Sequence, residues 1–144
     1  MPVNWRGRPA RRLSRVCLAA WAGLILVASL IPRVPGPIGT ISFPGSDKLL
    51  HVFAYAVLYV LIVWAGGGGG LFARIVGPGL VAVMFGLLVE SAQRFTGRAF
   101  GWVDLMANCV GVVCALVAVA LAARCVGRRA ARTMQRRSSQ EGPS

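Results

Sequence analysis

Four stretches of this chain run for sixteen residues or more almost without charged side chains, and they take up most of its 144 residues. That feature rules out most soluble architectures. A soluble domain clothes its helices in charge, with about a quarter of residues ionisable. Here 14% are charged and 56% are hydrophobic. About 20 apolar residues in a helix cross a bilayer's hydrocarbon core of about 30 Å. The length leaves room for one domain, and the apolar runs place that domain in a membrane.

The charges are sorted. Eleven of the 16 cations lie at the two ends: Arg6, Arg8, Arg11, Arg12 and Arg15, then Arg124, Arg128, Arg129, Arg132, Arg136 and Arg137. Basic ends can neutralise nucleic-acid phosphates. Both ends abut apolar runs, however, with no helix-turn-helix or aromatic-basic platform, so no nucleic-acid partner is expected. They read instead as cytoplasmic flanks that follow the positive-inside rule and are drawn to anionic headgroups.

Residues 1–15 form a basic flank that is expected to be poorly ordered. Val16 to Ile31 is the first span, slightly short of the core thickness. It lacks a clear small-residue cleavage site and reads as an uncleaved anchor. Residues 32–46 hold Pro32, Pro35, Pro37 and Pro44 with three glycines, an outer loop or partly extended excursion. Ser46 or Asp47 then suits the N-terminus of a helix, and the second span runs from about Leu49 to Ala65. Gly66 to Gly70 ends it in a flexible turn. No Gly-Lys-Ser/Thr follows to make a phosphate loop.

The third span starts near Leu71 or Arg74 and reaches about Gln93. Gly77-Pro78-Gly79 marks either a kink or the true first turn. The fourth runs from about Val103 to Ala123, with Ala107, Gly111 and Ala115 at i, i+4 and i+8, a stripe that suits close helix contact in lipid. Residues 124–144 read as a basic, disordered cytoplasmic tail. The four cysteines, Cys17, Cys109, Cys114 and Cys125, lie in or beside apolar runs without CxxC spacing and read as inert buried thiols.

The fold class that follows is all-α, a four-helix transmembrane bundle spanning residues 16–123. Placing both termini and the 66–74 loop in the cytoplasm puts twelve cations inside and four outside, which fixes the expected orientation. The Pro-rich loop between spans one and two is then external, and so are the start of span two, the end of span three and the start of span four.

The unusual residues sit at those three places. Asp47, His51 and Tyr55 share one helix face, Glu90, Gln93 and Arg94 another, and Asp104, Asn108 and Gly111 a third. An ionised side chain at mid-bilayer costs at least about 3 kcal/mol, so these groups need partners. Asp47, Glu90 and Asp104 are balanced by Lys48, Arg94 and Arg98, which could form a cluster of carboxylates and cations. Blander roles exist for several of them. Asp47 and Asp104 suit helix caps, and Lys48 suits snorkelling to the surface. His51 suits an interhelical hydrogen bond, and Tyr55, Tyr59, Trp64 and Trp102 suit packing or an interfacial belt.

The order Asp47-Lys48-x-x-His51-x-Phe53-x-Tyr55-x-x-Leu58, then Glu90-x-x-Gln93, Gly97-Arg98 and Asp104-x-x-x-Asn108-x-x-Gly111, resembles the VanZ-like membrane protein family. Ser29 and Pro32 fit its usual appearance, and the likeness covers about residues 20–120. Many relatives carry an acid directly before the Glu and a His directly before the Gln. Val89 and Ala92 stand there in this chain. The resemblance implies a small multi-spanning protein of the plasma membrane and, through the family's namesake, a link to resistance to the glycopeptide antibiotic teicoplanin.

Three functions are open on the residues. The first is binding of a lipid headgroup or cell-envelope glycolipid. Arg94, Arg98 and Lys48 would hold phosphate or carboxylate there, and Asp47, His51, Tyr55, Glu90, Gln93, Asp104 and Asn108 the other polar groups. The second is a membrane enzyme using Asp47, His51, Glu90 and Asp104 as acid, base or divalent-metal ligands. It is the weaker reading, because there is one His and no HExxH spacing; no metal or cofactor is expected. The third is a structural subunit whose cluster only fixes helix register. A transporter with four spans would need a dimer.

Overall fold

The computed structural model describes residues 8–31, 46–66, 70–96 and 100–140. Four helices follow in order: α1 (Arg8–Leu30), α2 (Ser46–Ala65), α3 (Leu71–Gln93) and α4 (Trp102–Gln140). A short 3-10 turn over Arg94–Thr96 continues α3. All four helices are long and apolar enough to cross a membrane. The fold is a four-helix bundle of a multi-pass membrane protein. The Pro-rich segment 32–45 and the glycines 67–69 lie outside the described residues, as do Gly97, Arg98 and Ala99.

The centre of the bundle is α2, which packs against α1, α3 and α4, most extensively against α4. The small-residue stripe explains that closeness. Ala107, Gly111 and Ala115 are all buried, and a Cβ added at Gly111 would fall 2.1 Å from the backbone oxygen of Val52 on α2. Without a side chain at this point the two backbones meet, which gives dispersion contact in a setting where the hydrophobic effect contributes little. Below this contact the core is filled by Tyr55, Leu58, Tyr59, Ala82 and Val112. Leucines, valines and phenylalanines with more than half their surface exposed cover the outside, among them Leu49, Phe53, Leu80, Leu88 and Val113. This is the inverse of a soluble bundle and suits a hydrocarbon solvent.

Two boundaries differ from the sequence expectations, and that of α3 does not. The first helix begins at Arg8 instead of Val16, because the basic flank holds good helix formers and continues the same turn geometry. The helix α3 begins at Leu71, as expected, and contains Gly77-Pro78-Gly79. Proline removes a backbone donor at that turn. Nearby, the hydroxyl of Tyr59 donates to the carbonyl of Ile75 at 2.9 Å, an interhelical bond one residue after Arg74, whose carbonyl lacks the Pro78 N–H. Tyr59 is therefore a buried strut and not a belt aromatic. Second, α4 does not end at Ala123 in a disordered tail but continues through Gln140. Residues 124–140 contain one glycine and no proline and are rich in Arg and Ala, both strong helix formers.

The cysteines are also rearranged relative to expectation. Cys17 and Cys109 are half-buried, whereas Cys114 and Cys125 are exposed. The helix surface around Cys114 faces outward, where lipid replaces protein as the apolar neighbour.

Candidate functional site

The antiparallel order of the helices brings the end of α1, the start of α2, the end of α3 and the start of α4 to one end of the bundle. The polar stripes read from the sequence meet there. His51 on α2 and Asn108 on α4 join through Nδ1 and Oδ1 at 2.9 Å. A carbonyl oxygen only accepts, so the imidazole donates from Nδ1. Lys48, on the turn above, bridges to Asp104 on α4 and lies 3.3 Å from the carboxylate of its neighbour Asp47. Asp104 is 8% exposed. Burial of that carboxylate among apolar helices requires a partner, and the ammonium supplies it. Lys48 therefore does not merely snorkel to the surface.

Glu90 is fully buried on α3. Its Oε2 accepts the backbone N–H of Gly101 at 3.2 Å, one residue before α4 begins. The carboxylate thus sits at the positive end of the α4 helix dipole and satisfies a donor that no helical carbonyl reaches. Gly101 has a second constraint, since a Cβ there would fall 2.8 Å from Oδ2 of Asp104. The two carboxylates flank one glycine.

The cation pairing expected for Arg94 does not form. Arg94 is exposed, and its guanidinium lies 5.2 Å from the centre of the Phe100 ring. Phe100 in turn meets Trp102 edge-on at 4.8 Å. The short turn after α3 carries Arg94 outward, so an aromatic face at the rim is nearer than the carboxylates inside. Trp102 is 70% exposed, as an interfacial aromatic should be. Arg98 lies outside the described residues, and its expected role is not placed.

Beside this cluster lies a cavity of about 440 Å³. Its polar lining includes Asp47, His51, Tyr55 and Gln93, and its apolar wall comes largely from α1 through Leu24, Ile25 and Ala28. Tyr55 and Gln93 are each 1% exposed. The Tyr55 hydroxyl and Gln93 Nε2 have no hydrogen-bond partner among the described residues, and neither does Asn108 Nδ2. Such orphaned buried groups cost about 1–3 kcal/mol each unless something else meets them.

Sequence reasoning missed four contributors. Trp21 holds α1 against α2 by donating from Nε1 to the carbonyl of Ala54 at 3.0 Å. Ser29 lines the cavity, and the family resemblance alone had drawn attention to it. Gly86 leaves the space into which Tyr55 and Asn108 fit, since a Cβ there would approach them to 3.0 and 3.2 Å. Gly101 acts through its backbone. The signal for Gly86 was present: Gly86, Glu90 and Gln93 stand at i, i+4 and i+7 on one face of α3.

Asp47, His51 and Asp104 bring one potential ligand atom each to within 4.8 Å of one another. The Lys48 ammonium contacts both of these carboxylates, so a fixed positive charge already stands where a metal ion's charge would be needed. Glu90, turned to Gly101, is outside that group.

No protein-family model, curated protein or solved structure matches the chain.

Proposed function

We propose that this chain is a VanZ-like protein of the plasma membrane whose polar cluster binds a lipid headgroup or cell-envelope ligand at the outer face. The observation that carries the reading is the cavity. It joins an apolar wall to Asp47, His51, Tyr55 and Gln93, two of which hold unmet hydrogen-bonding capacity in its lining. A concave apolar site with a few convergent polar groups is the usual form of a small-ligand site. His51, Tyr55, Glu90, Gln93, Asp104 and Asn108 all belong to the motif order that resembles the family, and all gather at one end of the bundle. The exposed arginines Arg11, Arg12 and Arg15, with Arg124, Arg128, Arg129 and Arg132, lie toward the other end. That supports an outward-facing cavity under the positive-inside rule.

The deciding experiment is lipid analysis of the purified protein. Extraction and mass spectrometry should find about one lipid or glycolipid retained per wild-type chain. Ala28→Phe, which fills the cavity from α1, should lose it. Equal retention by both proteins overturns the proposal. The link to teicoplanin that the resemblance implies is tested by expressing the chain in a susceptible host; an unchanged inhibitory concentration removes it.

A second reading has its own observation. His51–Asn108 and Lys48–Asp104 both tie α2 to α4, which is what a purely register-fixing cluster would do. Under that reading Ala28→Phe leaves retained lipid unchanged, and variants at these four residues alter stability alone.

A further inference from the structure

The cavity's unmet groups point to a ligand chemistry. Gln93 Nε2 can only donate, and the Tyr55 hydroxyl has a proton to donate. Both residues are 1% exposed, both line the cavity, and neither atom has a partner among the described residues. What they lack in common is an acceptor. The charge around them narrows its kind. No described cation lines the cavity: Lys48 is engaged by Asp47 and Asp104, and Arg94 lies over Phe100. The Asp47 carboxylate does line it. A phosphate or carboxylate entering here would meet the Asp47 carboxylate at low dielectric, with the nearest described cation, Lys48, already shared between two acids. The acceptor that fits is uncharged.

The remaining wall is hydrocarbon-like, from Leu24, Ile25, Ala28, Leu50 and Phe53. We infer that the cavity takes a neutral single-chain amphiphile whose ester or amide carbonyl accepts from the Gln93 amide and the Tyr55 hydroxyl, with its acyl chain laid along α1. Hydroxyls on such a ligand would reach Asp47, which accepts, at the polar end. This rests on the proposal above that the cavity is a ligand site, and it replaces the anionic headgroup expected from the sequence with an uncharged one.

The test uses the full chain in detergent micelles and three probes of matched chain length. These are 1-monooleoylglycerol, its ether analogue 1-O-oleylglycerol, which lacks the carbonyl, and oleate, which is anionic. The ester should bind about tenfold more tightly than the ether, as expected for one or two net hydrogen bonds, and oleate should bind more weakly than either. Gln93→Leu and Tyr55→Phe should each reduce the preference for ester over ether. The wild-type comparison of probes stands even if a variant fails to fold. Equal binding of all three, or tightest binding of oleate, overturns the carbonyl assignment and leaves a ligand cavity of another preference. Binding of none overturns the cavity reading itself.

Discussion

Nδ1 of His51 lies 2.9 Å from Oδ1 of Asn108, a side-chain hydrogen bond across the most extensively packed pair of helices in the bundle. Both residues also border the unmet groups: His51 lines the cavity, and Asn108 Nδ2 is without a partner among the described residues. Removing either partner should therefore be felt in the same free-energy term. Asn108→Leu should lower the midpoint of thermal unfolding in detergent, and His51→Ala added to it should cost little more. A double-mutant cycle should return a coupling of about 0.6–1.5 kcal/mol. Additive losses would show that the two side chains do not act through one another.

Lys48 gives a second prediction. Lys48→Met leaves the Asp104 carboxylate, 8% exposed, without its ammonium. The loss should be about 1–3 kcal/mol, less than for a fully buried pair because the Lys48 side chain is 41% exposed. Adding Asp104→Asn should recover part of it, since the stranded charge is then gone. Unfolding midpoints of the wild type and the two variants check both statements. An unaffected Lys48→Met would mean that the lysine does no more than reach for the surface.

Glycines at two positions on α4 should respond in opposite directions to the same change. Gly111→Ala puts a methyl group against the Val52 carbonyl, 2.1 Å away before relaxation, and should cost about 2 kcal/mol or more. Gly127→Ala meets nothing within 4 Å and should gain about 0.5–1 kcal/mol from helix propensity. The pair controls for the general effect of alanine in one helix. Thermal unfolding of both variants is the measurement.

Native cysteines report the orientation. Cys125 is exposed and lies 23 residues after Trp102, about 35 Å along the helix and so beyond a 30 Å core. With cytoplasmic termini, an impermeant maleimide should label Cys125 in inverted vesicles and not in intact spheroplasts. Cys114, exposed in the middle of the span, should resist labelling from either side because lipid surrounds it. Labelling of Cys125 in intact spheroplasts would reverse the topology.

Much of this was legible in the sequence because helical spacing alone decides which residues share a face. Asp47, His51 and Tyr55 at steps of four, and Asp104, Asn108 and Gly111 at steps of four and three, had to line up on α2 and α4 once those segments were helical. The near absence of charge elsewhere meant that the stripes had to face each other. What spacing does not encode is the choice among partners. Whether Arg94 meets a carboxylate or the Phe100 ring depends on where a three-residue 3-10 turn points it. Lys48 reaches Asp104 across the pair of helices that meet main chain to main chain at Gly111. The cavity wall was illegible for a similar reason: the α1 residues Leu24, Ile25 and Ala28 carry no polar signal, and only packing sets them opposite Tyr55 and Gln93. The start of α3 ahead of Pro78 was legible because a helix from Leu80 would be too short to cross.

The meeting of backbones at Gly111 and Val52 also limits which parts can move. With an oxygen of α2 seated against the bare Cα of α4, neither rod can twist or slide past the other without collision. The indole hydrogen bond of Trp21 to Ala54 and apolar packing hold α1 to α2, and no such lock of main chain on main chain is seen there among the described residues. Of the cavity's walls, the one from α1 is thus held by side chains, while α2 is fixed to α4 by the main chain itself.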